Sequence, residues 1–168
     1  MKENGHVFLI GFMGAGKSTI GRLLADRLRK DFIDVDALIV QKENKSISDI
    51  FSEHGEAFFR EKEAAYLKKI SGGSIIATGG GILYFSETLE WMKQNGTIVY
   101  LQAPFSILYE RIFQDSNRPL AMTKSEASLK ELYSKRHDVY SSAADLIVPT
   151  DCRVEESVDL IIERLQKD

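Results

Sequence analysis

The chain has 168 residues, a formal net charge of −3, 43% hydrophobic residues and 28% charged residues. These proportions suit one globular domain over residues 1–168, and the slight acidic balance gives no electrostatic footprint for nucleic acid. No apolar run approaches the roughly 18 to 20 residues that cross a bilayer, and the lone Cys152 excludes an internal disulfide or a cysteine-based zinc site.

The amino terminus has no signal-peptide apolar region, so a cytoplasmic location without membrane contact is expected. The first strand is predicted over residues 7–10. Directly after it, Gly11-Phe12-Met13-Gly14-Ala15-Gly16-Lys17-Ser18 fits the pattern G-x-x-x-x-G-K-[ST] in full. A helix is predicted over residues 18–29, where Ile20, Leu23, Leu24 and Leu28 keep helical spacing. A glycine-rich turn between strand and helix aims backbone N–H groups at one point. The helix N-terminus and Lys17 add positive charge there, and Ser18 offers a hydroxyl to Mg²⁺. The stretch reads as a nucleotide phosphate cradle, with Gly14, Ala15, Gly16, Lys17, Ser18 and Thr19 as its contact residues.

A second strand is predicted over residues 32–35, ending in Asp34-Val35-Asp36. In an extended segment the two carboxylates share a side. Asp34 is then placed for the metal, and Asp36 for a substrate hydroxyl and its proton. The alternative is a solvated strand end capping the next helix. Helices follow over residues 46–53 and 56–70; in the second, Arg60 and Glu63 share a face at i, i+3. A third strand over residues 74–77 leads into Thr78-Gly79-Gly80-Gly81, where bare backbone can serve an anion.

A helix over residues 86–94 places Trp91 with Leu89 and Met92 as packing, and a fourth strand spans residues 97–101. The helix over residues 105–113 carries Arg111, and a polar stretch over residues 114–125 carries Asn117-Arg118-Pro119-Leu120 and reads as a mobile lid. The helix over residues 125–141 carries Arg136. A last strand over residues 146–148 and a helix over residues 154–166 close the chain. Taken singly, Arg60, Arg111, Arg118 and Arg136 read as solvated charges. His6, His54 and His137 are too dispersed for a metal site and read as structural. Strands alternating with helices predict an α/β fold with a parallel sheet and its chemistry along one sheet edge.

Jointly, these residues resemble the shikimate kinase family, nearly end to end. The likeness rests on the P-loop, Asp34-Val35-Asp36, Gly55-Glu56-x-x-Phe59-Arg60-x-x-Glu63, the triple glycine, Asn117-Arg118-Pro119-Leu120 and Leu132-Tyr133-x-x-Arg136-x-x-x-Tyr140. It implies a three-layer P-loop kinase fold with a five-stranded parallel sheet of order 2-3-1-4-5. It implies phosphorylation of the shikimate 3-hydroxyl by ATP with Mg²⁺, a step of aromatic amino acid synthesis through chorismate; separately, a monomer is expected.

By that resemblance Lys17, Asp36 and Arg118 are catalytic. Asp36, Arg60, Gly80, Gly81 and Arg136 bind shikimate, and Ser18 and Asp34 hold Mg²⁺. Arg111, Arg118 and the loop around Arg153 join the P-loop in binding ATP. The chain departs from the family's usual run at Ala121, at His137-Asp138-Val139 and at Pro149-Thr150-Asp151-Cys152-Arg153. The rival readings are a gluconate kinase, a nucleoside monophosphate kinase and a nucleotide-binding regulator without turnover.

Overall fold

The computed structural model describes residues 5–114 and 125–167. Five parallel strands, β1 (His6–Ile10), β2 (Phe32–Asp34), β3 (Ile75–Ala77), β4 (Gly96–Gln102) and β5 (Leu146–Pro149), form one sheet in the order β2-β3-β1-β4-β5. This is the expected order. Seven α-helices are described: α1 (Lys17–Leu28), α2 (Val35–Glu43), α3 (Ile47–Leu67), α4 (Ser86–Asn95), α5 (Phe105–Gln114), α6 (Glu126–Ala143) and α7 (Val154–Lys167).

The alternation along β1 sorts the core into two layers. Val7 and Leu9 join an apolar cluster with Leu24 of α1, Leu108 of α5 and Ile161 of α7. Phe8 and Ile10 face the other way, onto Ile39 of α2, Phe59 of α3, Met92 of α4 and Tyr140 of α6. A strand buried on both faces requires such a continuous apolar run. Each of these large side chains is worth about 1.5–3 kcal/mol relative to exposure. Trp91 packs on Phe8 at the second layer, as its spacing suggests.

Two expectations change. The strand expected over residues 32–35 stops at Asp34, and α2, absent from the sequence reading, starts at Val35. Asp34 caps it, accepting the Ala37 N–H at 3.2 Å. Helix α2 has no amphipathic stripe to find, because Val35, Leu38, Ile39 and Val40 are nearly consecutive and only Val35 and Ile39 are buried. Asp36 therefore sits in a first helical turn and not in a strand. The two helices expected on either side of residue 55 run together as α3, but the backbone leaves helical geometry at Gly55 (φ 79°, ψ 175°).

Because all five strands are parallel, the loops after them gather at one sheet edge. The phosphate loop, Asp34, the triple glycine and residues 150–153 all lie along that edge. Of the lid expected over residues 114–125, residues 115–124 lie outside the described residues, and Arg118 with them.

Candidate active site

The phosphate loop is set by its backbone. Gly14 (φ 81°) and Gly16 (φ 91°) occupy left-handed conformations that other residues adopt at a cost, and Gly16 is the N-terminal cap of α1. No side chain caps that terminus. The first N–H groups of α1 have no partner within the helix and open toward the loop. Lys17 Nζ bridges the loop, donating to the carbonyls of Gly11 at 2.7 Å and Phe12 at 3.1 Å.

On one side of the loop lies a cavity of about 310 Å³ bordered by Gly14, Thr19, Arg111, Thr150, Cys152 and Ser157. Arg111 ties its walls together, donating from Nη2 to the Thr150 carbonyl at 2.6 Å and from Nη1 to that of Gly14 at 3.3 Å. Its guanidinium plane is thereby held as one face of the cavity. Arg153 does not border it. Its side chain is 80% exposed and paired with Glu156 at 2.8 Å, while its neighbours Cys152, also exposed, and Val154 border the cavity.

On the other side lies a larger cavity, about 750 Å³, where Lys17, Ser18, Asp34, Asp36, Gly80 and Arg136 meet. Ser18 Oγ donates to Asp34 Oδ2 at 2.9 Å. Asp34 and Asp36 reach the same cavity after all, from a cap and a first helical turn. Arg136 lies over the Phe12 ring at 5.8 Å, and its Nε is buried without a hydrogen-bond partner. A buried, unsatisfied donor on a charged group is costly unless an anion completes it.

Arg60 stands behind the triple-glycine turn, opening on a neighbouring groove with Ala57, Glu61 and Tyr84. Glu63, 1% exposed, holds it: Arg60 Nη1 donates to Glu63 Oε2 at 2.8 Å, and Glu56 lies 3.4 Å from Nη2. Burial works against the Arg60 charge, and Glu63 and Glu56 more than restore it, so its pKa is raised. Burial likewise pushes the Glu63 carboxyl up; Arg60 opposes this, and the nearby Asp36 adds to it. The i, i+3 brace expected from sequence is therefore present and buried.

The glycines of the turn let two arginine side chains come close to its backbone. A Cβ on Gly80 would lie 2.5 Å from Arg136 Nη1, and one on Gly81 would overlap the Arg60 guanidinium. The turn thus lies between two arginines that come from different helices. Of the three histidines, His6 is buried and accepts the Ser74 N–H at 3.1 Å, and His137 meets the Tyr100 hydroxyl at 3.0 Å. Among the described residues no group of three metal-ligating side chains forms.

A phosphate-cradling loop on the central strand of a 2-3-1-4-5 parallel sheet, with one cavity on Gly14, Ala15, Gly16 and Thr19 and a second on Lys17 and Ser18, defines a P-loop phosphotransferase. A model of the family "Shikimate kinase" matches residues 13–166. The chain belongs to the shikimate kinase family and is an enzyme, a kinase. It is 40% identical over 165 residues to the shikimate kinase of Staphylococcus haemolyticus, covering 98% of this chain and 96% of that one. It is 40% identical over 148 residues to that of Persephonella marina, covering 87% and 89%.

Among solved structures, shikimate kinase from Acinetobacter baumannii in complex with shikimate superposes with a TM-score of 0.83 at 34% identity. It covers 96% of this chain and 91% of its own. The enzyme from Bacteroides thetaiotaomicron gives 0.87 at 32%, covering 96% and 98%. A gluconokinase from Sinorhizobium meliloti, at 17% identity and 0.57, shares the fold alone.

Proposed function

We propose that this chain transfers the terminal phosphoryl group of ATP to the 3-hydroxyl of shikimate, giving shikimate 3-phosphate for aromatic amino acid synthesis through chorismate. The observation that carries the acceptor is the larger cavity. A half-buried arginine, Arg136, whose Nε is buried without a hydrogen-bond partner, lines the same space as the carboxylate of Asp36 and the phosphate-loop residues Lys17 and Ser18. Shikimate has one carboxylate and three hydroxyls, and such a site serves both kinds of group.

In this reading the acceptor carboxylate is held by Arg136, by Arg60 from the Gly81 side, and by backbone N–H groups of Gly80 and Gly81. Glu63 keeps the Arg60 fork in one orientation, so little freedom is lost on binding. Asp36 accepts a hydrogen bond from the attacking hydroxyl and takes its proton as the phosphoryl group moves. A site that hydrogen-bonds a hydroxyl rejects analogues lacking it far better than an apolar wall does.

On the donor side the adenine lies against Arg111 in the smaller cavity, and the phosphates run along residues 14–19. Lys17 exchanges its two loop carbonyls for phosphate oxygens, neutralising charge that grows in the transition state. Arg118 of the lid adds a second cation, and lid closure excludes water, limiting ATP hydrolysis.

Ser18 and Asp34 fit Mg²⁺. Hydroxyl and carboxylate already meet at 2.9 Å, both are hard oxygen donors, and Mg²⁺ takes one or two carboxylates together with substrate phosphates. When bound, the ion neutralises phosphate charge. Asp34 Oδ1 is meanwhile held by the Ala37 N–H, which fixes the carboxylate. No helix among the described residues is long and apolar enough to cross a membrane. The net charge of −3 gives no electrostatic footprint for nucleic acid, and the reading takes the enzyme to be a cytoplasmic monomer.

The test is ADP release from ATP and Mg²⁺ with shikimate, gluconate or AMP as acceptor. Release that depends on shikimate supports the proposal. Release with gluconate or AMP alone keeps the donor site and discards the acceptor reading. ATP binding with no turnover of any acceptor points to a regulator.

A further inference from the structure

Helix α6 presents two side chains to the triple-glycine turn, one helical turn apart: Arg136 and Tyr140. Arg136 has its role in the proposed acceptor site; Tyr140 has none so far. Tyr140 is 2% exposed, and its hydroxyl donates to the Gly80 carbonyl at 2.7 Å. Burial pushes its phenol up to about 12, so it is a proton-bearing donor at any working pH. Its ring lies 5.2 Å from that of Tyr100, in the core beneath the turn.

The carbonyl of Gly80 and the N–H of Gly81 belong to one peptide unit. No cis bond occurs among the described residues, so that unit is trans, and its oxygen and hydrogen point in opposite directions. Fixing the oxygen on Tyr140 therefore aims the Gly81 N–H away from the core. The positions on either side of this peptide are the two that crowd the arginines: Arg136 and the Tyr140 hydroxyl against Gly80, Arg60 against Gly81. Glycine makes the close approach possible, but two adjacent glycines also leave the peptide free to rotate. Something must hold it, and the Tyr140 hydroxyl is in place to do so.

We propose that Tyr140 is a positioning residue for acceptor binding. It locks the Gly80–Gly81 peptide so that the Gly81 N–H, Arg60 and Arg136 converge on one carboxylate. A phenylalanine would fill the same space for packing alone; the buried hydroxyl must find a partner, and the partner it has is this peptide. The inference rests on the carboxylate reading of the acceptor site, and the experiment separates the two.

Tyr140→Phe removes one oxygen and keeps the ring. The expected result is a KM for shikimate raised about 5- to 30-fold, the scale of one lost hydrogen bond, with the KM for ATP and the melting temperature nearly unchanged. With the methyl ester of shikimate, which lacks the anionic carboxylate, variant and wild type should differ by less than about 2-fold. An unchanged KM for shikimate overturns the proposal, and so does a defect of equal size with the ester. Equal rises in both KM values with a lowered melting temperature also overturn it, since that is a packing effect. A wild type that does not phosphorylate shikimate overturns the acceptor reading and this inference together; normal wild-type turnover with an unaffected variant overturns this inference alone.

Discussion

The two sides of the catalytic cleft are made differently. The donor side is almost a single stretch of chain: residues 11–18 shape it with backbone, and Arg111 fastens it to the loop after β5 through two carbonyls. The proposed acceptor side is assembled from α2, α3, the triple-glycine turn and α6, and the turn meets side chains from two different helices. Arg60 depends on Glu63 and on the absence of a side chain at Gly81; Gly80 depends on Arg136 and Tyr140. A donor site of backbone tolerates change in distant parts of the fold. An acceptor site built from several segments does not, and on the proposed reading substrate choice resides there.

Substitutions should therefore separate the two sides. Asp36→Asn should have the largest effect. Loss of a general base costs about 10²- to 10⁴-fold in kcat, with ATP affinity, measured by titration calorimetry, unchanged; a full-rate variant would remove Asp36 from the mechanism. Arg136→Ala should raise the KM for shikimate about 10- to 100-fold, the scale of a charge-assisted hydrogen-bonded pair, and leave that for ATP alone. An effect on ATP would mean that the two sides are not separable. Arg111→Ala should do the converse more weakly, raising the KM for ATP about 3- to 10-fold as a neutral-scale contact and a clamp are lost.

The mildest prediction concerns the far end of β1, away from both cavities. Burial lowers the pKa of His6 below its ordinary 6.5, and its Nδ1 accepts the Ser74 N–H, as a neutral ring does. Below pH 6.5 the unfolded chain takes up a proton that the folded one refuses. Stability should then fall as pH drops through that region. Urea unfolding between about pH 5 and 7 should show this slope in the wild type and a shallower one in His6→Gln, with the ratio of the two KM values unaltered. Equal slopes would remove His6 as the source.

Much of this was legible in the sequence because it is local. The phosphate loop is a contiguous pattern, the sheet order follows from the family resemblance, and the Arg60–Glu63 brace is an i, i+3 pair. What the sequence concealed is long-range or weakly patterned. Helix α2 has consecutive apolar residues and no periodic stripe, so Asp36 was placed on a strand. Arg153 is exposed and pairs with Glu156, while Thr150 and Cys152 of the same loop border the smaller cavity, a difference between neighbours that the sequence does not mark. Tyr140 stood in the recognised motif, yet its use appears only when α6 and the loop after β3, 60 residues apart in the chain, are brought together.

The central claim, phosphoryl transfer from ATP to one hydroxyl of shikimate, is met most directly by phosphorus NMR of the product formed from ATP, Mg²⁺ and shikimate. The account predicts a single phosphomonoester resonance coupled to the ring proton at carbon 3, appearing in step with ADP. Inorganic phosphate alone, or coupling to the proton at carbon 4 or 5, would contradict it.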